Sequence, residues 1–242
     1  MRYKAAPPGF TTEAWNRLFS ARRGFCRKNE LERVIQTCRA GLIAPLSLRR
    51  LNLKIILASK SPRRQELLEM LGFEDFTVLP AGEIELIREG LSPAETVCEI
   101  ALGKAREVKS RTRGDNLIIA ADTLVYLDGA PLGQPENEES ARRMLRALSG
   151  RKHTVYTGLA LIRADREACC AEASDVYFRE MSESEIEAYI ATGEPMDKAG
   201  AYGAQGLGAL FVSRIDGDFF NVMGLPVCRL GLMLREFGLG IF

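Results

Sequence analysis

Two adjacent arginines, Arg63 and Arg64, fall in the first turn of a predicted helix that follows the loop Ser59 to Ser61. With Ser61 as N-cap and Pro62 at the first helical position, they occupy the second and third positions. The helix dipole disfavours each cation there by roughly 0.3 to 1 kcal/mol. Free N–H groups at a helix start bind anions, and guanidinium groups add bidentate hydrogen bonds. The placement therefore predicts a polyphosphate ligand.

The alternative is a solvated helix start whose arginines pair with Glu66 or Glu69. The sequence has no GxxxxGK[ST] element, which excludes the familiar P-loop. A phosphate site here must be of another type.

Two further charged residues interrupt apolar patterns. Asp122 lies within the apolar run LIIAADTLVYL, where a buried carboxylate needs a metal, a cation or a catalytic role. Lys104 falls on the apolar stripe of a predicted helix, at helical spacing from Val97, Ala101 and Val108. Alone, Asp122 is as consistent with a structural role as with a catalytic one. Together with the arginines, it indicates a phosphate-hydrolysing site in which Asp122 activates water and the cations neutralise developing charge.

A divalent cation would need carboxylate oxygens, which Glu85 and Asp122 could supply. The glycine-rich stretch from 200 to 208 most often means an ordinary flexible loop. Lys198 and Gln205 border or interrupt it, so a ligand-contacting loop is the second interpretation. We expect the only histidine, His153, to be structural.

Strands and helices alternate along the chain, with hairpins inserted, which predicts a mixed α/β sheet. Proline, glycine and capping patterns place the helices at about 62–71, 92–110, 138–148, 183–191 and 227–237. Short apolar or alternating runs place strands at about 53–58, 117–127, 154–162 and 171–179, with a further strand after the glycine-rich loop. The strand at 117–127 should turn at Asp128-Gly129, and a hairpin turn is expected at 164–167.

Charge divides the chain in two. Residues 1–52 hold 11 Lys/Arg and 3 Asp/Glu, whereas residues 53–242 hold 22 and 29. We predict a basic N-terminal extension at 1–52 that is poorly ordered or non-native, with a targeting segment as the rival and a basic binding arm third. The functional domain is expected at 53–242. Its acidic balance argues against a stable nucleic-acid partner.

Six cysteines without CxxC or metal-ligand spacing, and no secretory leader pattern, predict a cytoplasmic protein. No apolar run reaches the roughly 20 residues of a membrane span. Whether the chain forms a homodimer is left open by the sequence.

The motifs LASKSPRRQELL, AADTLV and DKAGAYGAQG…FNVMGLP resemble those of Maf-type nucleotide pyrophosphatases, and more closely the branch acting on dTTP and UTP. The similarity runs from about Leu53 to Phe237. It implies a mixed twisted sheet flanked by helices, with two lobes around a deep cleft, related to the inosine triphosphate pyrophosphatases. It also implies hydrolysis of a nucleoside triphosphate to the monophosphate and pyrophosphate with Mg²⁺ or Mn²⁺, which would exclude non-standard nucleotides from incorporation.

Residue by residue, the resemblance makes Asp122 the general base. The positions matching phosphate or metal contacts are Ser59, Arg63, Glu85 and Lys104. Those matching the choice of pyrimidine substrate are Arg64, Thr123 and Gln205. The family commonly has lysine where this chain has Gln134, so the site lacks one cation and turnover or substrate preference could change. The rival function is a nucleotide-binding regulatory protein of cell-division arrest with little turnover.

Overall fold

The structure is a computed structural model that describes residues 53–82 and 90–239. The predicted N-terminal extension at 1–52 and the predicted metal ligand Glu85 lie outside the described residues. Within them, no helix has the length and apolar character needed to cross a membrane.

Six α-helices and seven β-strands form the described part of the chain. The helices are α1 (Pro62–Met70), α2 (Pro93–Arg111), α3 (Glu138–Leu148), α4 (Glu183–Ala191), α5 (Phe219–Met223) and α6 (Val227–Glu236). The strands are β1 (Lys54–Leu57), β2 (Phe76–Val78), β3 (Asn116–Leu127), β4 (Ala130–Leu132), β5 (Lys152–Arg163), β6 (Arg166–Phe178) and β7 (Val212–Asp216). Three 3₁₀ turns lie between α4 and β7, at Glu194–Asp197, Ala199–Ala201 and Leu207–Phe211.

The sheet is mixed, as the alternating pattern predicted. Its strand order is β2-β1-β3-β5-β6-β7. The short strand β4 pairs with the end of β3, on the same side of β3 as β1. β1 is parallel to both β2 and β3, whereas the pairs β3–β5, β5–β6 and β6–β7 are antiparallel. The long strands β3 and β5 therefore join the parallel part of the sheet to the antiparallel part.

The core forms three clusters around these long strands. On one face of the first half of β3, Leu117, Ile119 and Ala121 pack with residues of α1 and α6. On the opposite face, Ile118 and Ala120 pack against α2. The second half of β3 enters another cluster with α3 and α4. Two lobes thus share β3 and β5, and the polar residues of interest lie where one lobe passes into the other.

Most predicted helix ends are confirmed because local chemistry fixes them. Ser92 and Ser182 each form a capping box with the glutamate three residues later. Ser61 is the N-cap of α1, although its side chain makes no capping hydrogen bond. Asp128 and Gly129 both have positive φ, 52° and 79°, and join β3 to β4 in a tight turn.

The predicted hairpin of β5 and β6 is right, but its bounds were too short. The strands reach Arg163 and Arg166, so the turn contains only residues 164 and 165. β6 starts about five residues earlier than expected. Its first half is only partly buried, which weakens the hydrophobic signal there.

His153 is structural, as expected. It is 2% exposed, its Nε2 lies 2.8 Å from the Tyr202 hydroxyl, and its ring packs edge-on against Phe178. Burial lowers the pKa of His153 to about 4, against the opposing attraction of Asp175.

This shift predicts acid sensitivity with a definite sign. Below about pH 6.5 the unfolded chain binds a proton that the folded chain refuses, so stability is lost as the pH falls from about 6.5 towards 4. The loss attributable to His153 is about 3 kcal/mol. Urea unfolding of wild type and His153→Gln at pH 7 and 4.5 measures it. The variant should lose much less stability, and equal losses in both proteins would contradict the assignment.

Candidate active site

A gap between β1 and β4 leaves part of β3 open where the predicted residues lie. β1 pairs with β3 up to the contact of Leu57 with Ile119, and β4 pairing begins only at Val125. Among the described residues, β3 has no strand neighbour on this side between those points. Asp122 and Thr123 occupy the open segment and point to opposite faces of the strand.

Lys104 and Asp122 meet on the α2 side of this gap. Lys104 Nζ donates to Asp122 Oδ1 at 2.6 Å, and the two side chains are 24% and 14% exposed. The contact depends on how closely α2 approaches β5 at Gly158, the cross-strand partner of Asp122. A Cβ at Gly158 would lie 2.1 Å from the Val97 carbonyl oxygen, so only glycine permits this approach. The lysine on the apolar stripe is thus explained by a carboxylate partner.

Arg64 lies on the other face of the gap and connects three segments of the chain. Its Nη1 donates to Ser59 Oγ at 2.9 Å, its Nη2 to Thr123 Oγ1 at 3.0 Å, and its Nε to the Gly224 carbonyl at 2.7 Å. Ser59 is 8% exposed and also accepts from the Ser61 N–H. Neither Glu66 nor Glu69 is among the hydrogen-bond partners of Arg64, so the solvated-helix alternative does not describe this residue.

Electrostatics link the two faces of the gap. Desolvation lowers the pKa of Arg64 to about 10, while Asp122 raises it and Arg63 lowers it. The guanidinium therefore remains charged at neutral pH, and the carboxylate of Asp122 is close enough to affect its ionisation. A ligand entering the gap meets both groups.

Arg63 diverges from its neighbour instead of sharing one partner with it. Its Nη1 lies 3.5 Å from Asp197 Oδ2. Lys198 Nζ donates to Asp197 Oδ1 and to the Glu194 carbonyl, both at 2.6 Å. Gln134 is exposed and donates to the Asp197 carbonyl at 3.1 Å. Two residues predicted to contact the substrate, Arg63 and Lys198, thus share one carboxylate, and Gln134 lies beside them.

The glycine-rich loop is organised around a half-buried acceptor that the sequence did not reveal. Glu194 accepts hydrogen bonds from the N–H groups of Leu207 and Gly208 and from the Tyr189 hydroxyl. Burial opposes its ionisation, but these hydrogen bonds prevail and lower the pKa of Glu194. Gln205 is exposed on the same loop. The Glu194 carboxylate therefore holds the loop in shape, and Gln205, a predicted ligand residue, faces solvent.

Comparison with known proteins places the chain in a family. The model of the Maf-like protein family matches residues 54–237. The chain belongs to the Maf family.

Two relatives of this Maf protein carry the same name. A dTTP/UTP pyrophosphatase of Caldicellulosiruptor bescii is 50% identical over 190 residues, covering 76% of this chain and 95% of the relative. A dTTP/UTP pyrophosphatase of Moorella thermoacetica is 49% identical over 191 residues, covering 78% of this chain and 97% of the relative. Among solved structures, a HAM1 protein from Coxiella burnetii has a TM-score of 0.43 and 18% identity, covering 76% of this chain and 99% of that chain.

The described residues of this Maf protein supply some, but not all, of the ligands that a divalent cation such as Mg²⁺ needs. Mg²⁺ commonly uses one or two carboxylates and takes its remaining ligands from water and substrate phosphates. Asp122 offers one carboxylate, of which Oδ1 is held by Lys104. Within residues 53–82 and 90–239, no group of three or more His, Cys, Asp or Glu could hold a metal alone. A cation here would need the substrate as a ligand.

The buried residues that hold Thr123 in place were not identified from the sequence. Thr157 and Asn221 are fully buried and polar, and they lie directly behind Thr123. The sequence signal was present, since Thr157 interrupts a strand and Asn221 belongs to the FNVMGLP motif. Neither could be placed without knowing that β5 pairs Thr157 with Thr123.

The loop around Glu194 yields a test. A Cβ at Gly206 would lie 2.4 Å from Glu194 Oε1, so Gly206→Ala must displace the carboxylate that holds the loop. We expect a loss of about 1 to 3 kcal/mol of stability, because hydrogen bonds to a charged carboxylate are lost. Urea unfolding measures this, with Gly133→Ala as control because a Cβ there meets nothing within 4 Å. Equal stability of the two variants would contradict this account of the loop.

Proposed function

We propose that this protein hydrolyses dTTP and UTP to the nucleoside monophosphate and pyrophosphate. The observation that carries the proposal is the Lys104–Asp122 pair, placed on an open segment of β3 beside the Arg64 network. Support comes from the two relatives above, which are both named dTTP/UTP pyrophosphatase. That shared name favours an enzyme over a regulatory protein with little turnover.

The proposed step is attack of water on the α-phosphorus. Asp122 accepts a proton from the water as its oxygen bonds to phosphorus, and the bond from the α-phosphorus to the bridging oxygen breaks. Pyrophosphate then leaves. Lys104 holds Asp122 by a charge-assisted hydrogen bond and so fixes the direction of the base.

Arg63 and Lys198 are placed to receive the leaving phosphates. In the structure both contact Asp197, whose side chain is 66% exposed. An exposed ion pair is worth only about 0 to 1 kcal/mol, so a polyphosphate carrying several charges can replace it. Gln134 offers a neutral hydrogen-bond donor next to this pair.

We further propose that Asp122 and Glu85 would hold a divalent cation together with the substrate phosphates. Such a cation would neutralise phosphate charge and stabilise the developing charge on the leaving group.

Direct product analysis tests the function. Purified protein is incubated with Mg²⁺ or Mn²⁺ and a panel containing dTTP, UTP, CTP and the purine triphosphates. We expect monophosphate and pyrophosphate in equal amounts, with dTTP and UTP preferred. Orthophosphate as the primary product, or no turnover with either metal, would contradict the proposal.

A further inference from the structure

A chain of hydrogen bonds runs from the gap into the core through three side chains. Arg64 Nη2 donates to Thr123 Oγ1 at 3.0 Å. Thr123 Oγ1 lies 3.0 Å from Thr157 Oγ1, which in turn donates to the Asn221 carbonyl at 2.9 Å. Thr157 is 0% exposed, so no solvent can substitute for its partners.

The direction of the central hydrogen bond follows from counting protons. Each threonine hydroxyl has one proton to donate and two lone pairs to accept with. If Thr157 donates to Asn221, Thr123 can donate to Thr157, and every hydroxyl is used. The opposite direction leaves Thr157 as a buried hydroxyl that accepts nothing and gives up the bond to Asn221. Burial makes such an unpaired group unfavourable, so the first direction is preferred.

This direction fixes what Thr123 can offer to a ligand. Its proton points to Thr157, and one lone pair is taken by Arg64. What remains towards the gap is a single acceptor. Beside it, Arg64 uses three of its five N–H groups on Ser59, Thr123 and Gly224, so donors remain next to that acceptor.

A donor beside an acceptor matches one edge of a pyrimidine base. Uracil and thymine present an N3–H donor next to carbonyl acceptors. Cytosine has an N3 acceptor where uracil has its N3–H donor, which opposes the Thr123 acceptor, whereas its O2 carbonyl can still accept from Arg64. A site built to hydrogen-bond one pattern discriminates strongly against the reverse, because the wrong ligand leaves buried polar groups unpaired.

We propose that Thr157 is a specificity-determining residue that acts through Thr123, by holding its hydroxyl proton away from the gap. The inference rests on the proposed function in taking a pyrimidine nucleotide as the ligand. Thr157 does not touch the base, and Asn221 and the Gly224 N–H complete the arrangement, because both Thr157 and that N–H donate to the Asn221 carbonyl.

Calorimetric titration of UMP and CMP into wild type, Thr157→Val and Thr157→Ser tests this role. Valine keeps the shape but removes the hydroxyl, which frees the Thr123 proton to point into the gap and donate to cytosine N3. We expect wild type and the serine variant to bind UMP at least about tenfold more tightly than CMP. In the valine variant this ratio should fall by about tenfold, chiefly through tighter CMP binding.

If Thr157 only supported the fold, its substitution would weaken the binding of UMP and CMP equally and leave the ratio of their affinities unchanged. An unchanged ratio in Thr157→Val, a lack of discrimination in wild type, or failure of wild type to bind either nucleotide would overturn the proposal. If Thr157→Val does not fold, Thr157→Ala removes the same hydroxyl without adding a group, and the same criteria apply to it.

Pyrophosphate release from UTP is measured on the same protein samples. Absence of release, with a UMP-to-CMP ratio that depends on Thr157, would refute the proposed hydrolysis and leave the role of Thr157 standing. Pyrophosphate release with an unchanged affinity ratio would support the proposed hydrolysis and refute the role of Thr157.

Discussion

Replacing Asp122 by asparagine should lower pyrophosphate release from UTP by about 1000-fold, within the range of about 10² to 10⁴ expected for a lost general base. Asparagine has nearly the shape of aspartate but cannot accept the proton of the attacking water. Its side chain can still accept the hydrogen bond from Lys104, which the structure places at 2.6 Å. The fold should therefore be retained.

Nucleotide binding separates a catalytic role from a binding role for Asp122. Removing a negative charge next to the phosphates should leave UMP affinity unchanged or slightly improved, since Arg64, Ser59 and Thr123 keep their contacts. Steady-state kinetics with UTP and calorimetry with UMP give the two quantities. An Asp122→Asn protein that retains more than about a tenth of wild-type turnover would refute its assignment as the base.

Asp128→Asn is the matched control. Asp128 directly follows β3, and it pairs with Arg151 at 2.6 Å on the surface. Its φ of 52° is a conformation that asparagine adopts readily. Losing an exposed ion pair should change stability by no more than about 1 kcal/mol, and activity should be unchanged.

The parts of the fold that the sequence predicted are those decided by neighbouring residues. A capping box at Ser92 or Ser182 satisfies the first N–H groups of a helix whatever the rest of the chain does. The turn at Asp128-Gly129 depends on only two positive φ angles. The bounds of α2, α3 and α4 could therefore be predicted to within one or two residues.

The sequence could predict which residues belong to the candidate site, but not which partners they bind. Arg64, Lys104 and Asp122 could be identified because each carries a charge where the local pattern disfavours it, and such a conflict is visible in the sequence alone. Their partners are not local: the Gly224 carbonyl that binds Arg64 lies 160 residues away. The prediction of a polyphosphate ligand likewise named no protein partner for Arg63, whose ion-pair partner in the structure is Asp197.

The supporting residues show why pairing matters more than composition. Thr157 gains its role from lying opposite Thr123 in the register of β3 and β5, and a shift of one residue would turn it to the other face. Gly158, the next residue, faces α2 for the same reason. The role of neither residue can be inferred without this register, yet together they set the geometry on both sides of the gap.

Gly158→Ala should be among the most damaging small substitutions in this protein. The added methyl group would lie 2.1 Å from the Val97 carbonyl oxygen and 2.7 Å from the Cys98 nitrogen, both backbone atoms of α2. Because a backbone cannot rotate away as a side chain can, the helix must move. We expect a loss of about 3 kcal/mol of stability, at the upper end for overpacking.

The same displacement should reach the chemistry. Lys104 follows Val97 by two helical turns, so a shift of α2 moves its ammonium group away from Asp122. A misplacement of about 1 Å can lower turnover about 100-fold, so kcat should fall by this order even where the protein remains folded. Urea unfolding and UTP kinetics on one preparation measure both effects.

Gly231→Ala supplies the comparison that makes the result interpretable. Gly231 lies within α6, where a Cβ would meet nothing within 4 Å, so alanine should raise stability by up to about 1 kcal/mol through helix propensity alone. Full activity in Gly231→Ala with a large loss in Gly158→Ala would attribute the loss to the contact between α2 and β5. If Gly158→Ala kept wild-type stability and turnover, the close approach that explains the Lys104–Asp122 pair would be wrong, and the basis for assigning Asp122 its direction would fail with it.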